Sequence, residues 1–154
     1  MTYQRDELGE FSSVVCFKAV ITGVEDTLGK DGASVVFTRA GKVRGGNLAR
    51  DLGVAGTNAP IGELAAKLNG AIGKEGTRLA AVHDVREENG KIIVDTTDTV
   101  CSAGEEMGSD RNCTFTMGAI WGALEAITGK TYLGEQTQSV LRGGQFDRFE
   151  FEEL

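Results

Sequence analysis

The amino-acid sequence predicts an α+β (mixed α/β) domain in which helices pack on an antiparallel sheet made of two hairpins. Three observations lead there. Apolar residues recur at spacings of three and four through residues 9–28, 33–72 and 114–128. The period changes to two on either side of Asn89-Gly90, a hairpin signal, and a second strand pair flanks Gly143-Gly144. The order is therefore three helices, hairpin, helix, hairpin, with no repeat, low-complexity tract or linker to divide it. With 154 residues, residues 1–154 read as a single domain, a size at which roughly 70% of the unfolded surface can be buried.

In residues 9–28, Val14, Phe17, Ile21, Val24 and Leu28 form one helical stripe, with Cys16 and Val20 beside it; Gly29 and Asp31-Gly32 are expected to end the helix. Residues 33–53 could open as a strand at ASVVF. Val36, Leu48 and Leu52 around the glycines at 41, 45 and 46 favour one or two closely packed helices instead. Asn58 and Pro60 mark the start of a third helix with Ile61, Leu64, Ala65, Leu68 and Ile72 on its apolar face, ending near Gly73. A hairpin over 77–100 follows, then a loop rich in Gly, Glu and Ser, the helix 114–128, and the final hairpin.

Composition excludes several function classes. Sixteen Lys and Arg against 23 Asp and Glu give a net charge of −7, and nucleic acid is not an expected partner because no basic stripe is present to neutralise phosphates. Arg39, Lys42, Arg44 and Arg50, diluted by Gly and Asp, read as a solvated face. No apolar run reaches the roughly 18 to 20 residues of a membrane span. The start, MTYQRDELGE, lacks the positive then apolar pattern of a signal peptide, so a cytoplasmic protein is expected. Three cysteines, Cys16, Cys101 and Cys113, are an odd number with no CxxC spacing, and reduced thiols are the expectation. His83, the one histidine, is expected in a structural or surface role.

The helix at 114–128 is the most informative stretch. Met117, Ile120, Trp121, Leu124 and Ile127 share one face, and Gly118, Ala119, Gly122, Ala123 and Ala126 form a neighbouring stripe of small residues. An interior helical glycine costs roughly 1 kcal/mol relative to alanine. Gly118 and Gly122 therefore point to a close approach, either by another backbone or by a ligand.

Cys113 opening this helix, the glycines at 118 and 122, Leu124-Glu125, the Thr128-Gly129 stop, Glu135 in the next strand and the glycine turn before the last strand resemble the 4-vinyl reductase domain family. These are small hydrocarbon-binding proteins and sensor domains that share a fold with subunits of the TRAPP vesicle-tethering complex, the ligand-binding type found in NO signalling and Golgi transport. The resemblance is specific over residues 92–151 and topological before them. It implies a homodimer packed through its helices, with an apolar pocket between helices and sheet. Phe17, Ile21, Met117, Gly118, Trp121, Gly122 and Leu124 are the residues expected around such a pocket. Aromatic-compound sensors of the family hold a structural zinc. Cys113 and Glu135 match its first two ligand positions, with Cys101 nearby as a substitute, but Gln138 and Phe146 stand at the other two. Zinc sites are normally built from four donors dominated by Cys and His, so no metal or other cofactor is expected. Tethering subunits with a lipid-modified helical cysteine raise acylation of Cys16; read on its own, Cys16 is a small buried hydrophobe.

No catalytic residue is expected. The chain has no phosphate-cradling glycine loop after a strand, no iron–sulfur cysteine set and no acid/base pair that can be named; KVRGGNLAR lacks the Lys-Ser/Thr of a nucleotide loop. The residues support a stand-alone domain that holds a hydrophobic small molecule, such as a lipid, tetrapyrrole or aromatic hydrocarbon. The alternatives are a scaffold acting through its helical surfaces and an accessory factor in tetrapyrrole (chlorophyll-type) metabolism, with an enzyme the less expected outcome.

Overall fold

The structure is a computed structural model that describes residues 5–154. The opening MTYQ, part of the stretch read above for a leader, lies outside the described residues. The elements are α1 (Val14–Asp51), α2 (Ile61–Ile72), β1 (Ala81–Glu88), β2 (Lys91–Thr97), α3 (Thr114–Thr128), β3 (Tyr132–Gln138) and β4 (Asp147–Glu153), with a 3-10 turn at Val140–Arg142. Three helices pack on a four-stranded antiparallel sheet of order β1-β2-β4-β3, so the two hairpins β1-β2 and β3-β4 meet at the β2-β4 pair. Among the described residues, no helix is long and apolar enough to cross a membrane.

The first helix differs from expectation at both ends of residues 9–28. It begins only at Val14, where the Ser13 side chain accepts a hydrogen bond from the Val15 N–H at 3.2 Å and caps the first turn. At its other end Gly29 leaves helical geometry (φ 73°, ψ 166°) but the helix resumes at once, so residues 14–28 and 30–51 form two segments joined at a break. A side chain would be strained at that φ, which is why glycine stands there. Residues 33–51 are helical, as the glycine spacing predicts.

Burial follows the predicted faces of α2 and α3, but of the first stripe only Ile21 is buried, with Val14 and Leu28 exposed, and β1 shifts parity. Val82 and Val85 both enter the core because β1 carries a bulge between Val82 and Asp84, which breaks the simple alternation of residues 77–88. His83 is exposed; its Nε2 lies 2.7 Å from Thr97 Oγ1 and its ring tilts on Phe146. The main core joins Leu64 and Leu68 of α2, Ile120, Leu124 and Ile127 of α3, Val94 of β2 and Phe149 and Phe151 of β4. On the opposite sheet face the buried Asp95 (4% exposed) accepts from Arg148 Nε at 2.6 Å, Arg148 Nη2 at 3.0 Å and Arg86 Nη1 at 2.7 Å.

Helix α3 lies between the sheet and α1. Trp121 packs edge to face on Phe151, with ring centroids 6.1 Å apart. On α3's other side, a Cβ added at Gly122 would come within 2.7 Å of Lys42 Cα, and one at Gly118 within 3.1 Å of Thr38 Cα. The relation is reciprocal. A Cβ at Gly41 would sit 2.9 Å from Gly118 Cα, and one at Gly45 2.7 Å from Ala123 N. Four glycines thus form a seam where two helix backbones touch. Gly129, in the left-handed conformation (φ 70°), ends α3 and donates its N–H to Glu125 O at 2.9 Å.

Candidate functional site

A cavity of about 470 Å³ opens where the start of α1, the start of α3 and the segments 77–79 and 99–101 converge. Its apolar lining comes from Phe11, Val14, Phe17, Leu79, Val100 and Phe115; its polar lining comes from Ser12, Ser13, Thr77, Arg44 and Arg78. Local sequence explains each placement. Phe17 lies one turn into α1 and meets Phe115, at the second position of α3, edge to face with centroids 5.3 Å apart. Leu79 and Val100 are drawn together by the hydrogen bond from Val100 N–H to Leu79 O at 3.3 Å. Arg44 lies three residues beyond Gly41, so the seam that brings α1 against α3 also aims Arg44 at the cavity.

Arg78 has an unusual backbone. Its φ is +56°, a left-handed conformation that an L side chain adopts at a cost of roughly 1–2 kcal/mol. Arg78 N–H donates to Gly73 O at 3.1 Å and Arg78 Nε to Lys74 O at 3.2 Å, while its guanidinium carbon sits 5.1 Å from the centroid of Phe11. An open groove continues outward from the cavity, sharing Phe11, Ser12, Arg44 and Thr77 and adding Glu10, Asn47, Arg50, Asp51 and Glu75.

The residues expected around a pocket divide into three groups. Phe17 lines the cavity. Ile21 borders only a void of about 10 Å³ between Phe17, Phe37 and Phe115. Gly118 and Gly122 sit in the helix seam, Leu124 is buried in the core, and Met117 and Trp121 pack against that core. Lys42 lies 4.3 Å from the Trp121 ring centroid and 2.8 Å from Glu125 Oε2, and Trp121 Nε1 donates to Glu125 Oε1 at 2.8 Å. Burial pushes the Glu125 carboxyl up, but the bonds from Lys42, the Tyr132 N–H and Trp121 outweigh it and hold it below the usual range. Phe115, Val100, Leu79, Arg44 and Arg78 are cavity residues absent from the expected set.

The cysteines correct the expectation of reduced thiols. Cys101 and Cys113 form a disulfide, with Cα atoms 5.3 Å apart, that ties the loop after β2 to the start of α3; Cys16 alone is free, and it is exposed instead of buried. Neighbours in sequence to two cavity residues, Val100 and Phe115, the two cysteines fix how the loop meets the helix. Thr99 Oγ1 lies 3.3 Å from each sulfur and donates to Asp147 Oδ2 at 2.8 Å. Gln136 Oε1 accepts the Cys113 N–H at 2.7 Å.

These residues do not fit the zinc that the resemblance implies. Both sulfurs are spent on each other, and the side chain that approaches Cys113 is Gln136, not Glu135. Glu135 is exposed, and it alternates with Gln136 onto the opposite sheet face. Gln138 Oε1 accepts the Phe146 N–H at 3.0 Å, so these two positions brace the last turn. Among the described residues, no group of three or more His, Cys, Asp or Glu is arranged to hold a metal ion.

No protein-family model matches the chain, and no curated protein matches it in sequence. Solved structures do match in fold. The phenol-responsive sensory domain of the transcription activator PoxR, solved with phenol, superposes with a TM-score of 0.72 at 19% identity, over 94% of this chain and 76% of that one. A trafficking protein particle complex subunit 3 from Naegleria fowleri, covalently bound to palmitic acid, superposes with a TM-score of 0.65 at 13% identity, over 92% of each chain. The chain therefore has the fold shared by a phenol-responsive sensory domain and a trafficking-complex subunit.

Proposed function

We propose that this protein is a small-molecule-binding domain that holds a hydrophobic ligand in the cavity between Phe17, Leu79, Val100 and Phe115. The cavity carries this reading: about 470 Å³ lies within the roughly 300–1,000 Å³ of small-molecule pockets, and its walls are apolar with a few polar groups, as such pockets are. The PoxR sensory domain with phenol supports the same use of the fold. The reading assigns no enzymatic step and no cofactor. Native mass spectrometry of protein from its own host, with thermal shift across aromatic and aliphatic ligands, tests it. A retained or stabilising apolar ligand is expected, and Val100→Trp or Val100→Phe should abolish the effect; no ligand and no shift would refute it.

A homodimer packed through α1 belongs to the same reading. It is supported by Val35 (70% exposed) and Val43 (61% exposed), which stand with Val36 on the outward side of α1, away from the glycine seam. The same surface would serve a scaffold role. Light scattering on Val35→Glu/Val43→Glu distinguishes them: a dimer that becomes a monomer supports the homodimer, while a monomer before substitution leaves the face to another partner.

A further inference from the structure

We propose that the cavity takes an amphipathic anion, an apolar chain or ring system ending in a carboxylate or similar acid, with Arg44 and Arg78 holding the acid. This rests on the cavity being the ligand site. Both arginines line the inner cavity and no carboxylate does; Glu10, Asp51 and Glu75 belong to the outer groove. An apolar lining and two guanidinium groups correspond to the two parts of such a ligand, since guanidinium matches a carboxylate in shape as well as charge.

Neither guanidinium is committed to a strong partner. The ion pair given to Arg44 is to Asp51 at 3.8 Å, and the Asp51 side chain is 73% exposed, which places the pair among exposed contacts of little energy. Arg78 spends Nε on Lys74 O, leaving its two terminal nitrogens without a protein acceptor among the described residues. Its backbone is the second and independent observation. At φ +56° glycine would be the economical residue, and the side chain's protein contacts are one exposed hydrogen bond to Lys74 O and the stack on Phe11. Strained backbone of this kind collects at ligand clamps. The strain makes sense when the side chain it presents has a task in the cavity.

The hydroxyls of Ser12, Ser13 and Thr77 line the same space and add donors to an acid's remaining lone pairs. Phe11 stacks on the Arg78 guanidinium at the exposed rim of the cavity.

Titration calorimetry with dodecanoate and 1-dodecanol, equal in chain length, tests the proposal on the full chain. Dodecanoate should bind at least about ten-fold tighter than the alcohol, and more weakly as salt rises. Arg44→Gln should remove most of that preference by weakening dodecanoate far more than the alcohol. Arg78→Gly, a substitution that the left-handed backbone favours, gives a second variant that does not depend on tolerance at Arg44. Equal affinities in the unaltered protein, or a preference that survives Arg44→Gln/Arg78→Gly, would overturn the anion proposal and leave the apolar pocket standing. Binding of neither probe would overturn both.

Discussion

Phe17 of α1 and Phe115 of α3 meet edge to face at 5.3 Å, and the same two rings wall the cavity on one side and a small satellite core on the other. The pair joins ligand site and fold. A double-mutant cycle on Phe17→Leu and Phe115→Leu should give a coupling energy of about 1 kcal/mol in thermal or urea unfolding. Additive losses would show that the rings do not sense each other.

The glycine seam predicts a steep response to one methyl group. Alanine is the better helix former, yet Gly45→Ala places a Cβ against the Ala119–Ala123 backbone and Gly122→Ala places one against Lys42. Each should lower stability by roughly 1–3 kcal/mol through overpacking. Gly23 and Gly62 have open space at the added Cβ, so alanine there should be neutral or stabilising. Urea midpoints of the four variants give the comparison.

The Cys101–Cys113 bond closes a loop across a sequence separation of 12. In the chain-entropy model such a loop stabilises the folded state by about 3 kcal/mol. Reduction, or Cys101→Ser/Cys113→Ser, should lower the unfolding midpoint by a corresponding amount. Thiol titration of the denatured protein should count one thiol before reduction, from Cys16, and three after.

Asp95 sets an acid limit. Burial pushes its carboxyl up, and the hydrogen bonds from Arg148 and Arg86 outweigh that push and hold it below the ordinary carboxylate range. With the folded-state pKa depressed, the stabilisation is complete above the unfolded value, about 3.9, and is lost as pH falls through the folded one. Unfolding free energy should therefore drop below about pH 4. Asp95→Asn should lower stability by roughly 1–3 kcal/mol near neutrality and flatten that acid limb. An unchanged limb in the variant would assign it to other carboxylates.

Much of the fold was legible because its signals are local. The apolar stripe around Leu64 and Leu68, the Asn89-Gly90 turn and the Gly129 stop each declare themselves within a few residues. Gly41, Gly45, Gly118 and Gly122 announced a close approach, but only the packed structure shows that the approaching group is the other helix. The cavity is less legible, since its walls come from five separated stretches. Phe17 could be seen in a stripe. Leu79, Val100 and Phe115 are ordinary core residues until the chain brings them to one space. Arg44 read as part of a solvated face because its direction depends on the seam, and Arg78 carried no signal because backbone strain has no residue code. Cys101 and Cys113 are joined by a loop whose course no local pattern specifies, so their pairing is visible only in the fold.

The break at Gly29 has a consequence for how this molecule can change. Residues 30–51 carry the seam, where Gly41 and Gly45 meet the backbone of α3, whereas residues 14–28 give the cavity Val14 and Phe17 and lean on side-chain contacts. One non-helical residue separates the segment packed backbone to backbone on α3 from the segment that packs through side chains. Val14 and Phe17 can thus be exchanged on the cavity wall without touching the seam, while Arg44 lies on the seam-bearing segment and is tied to it.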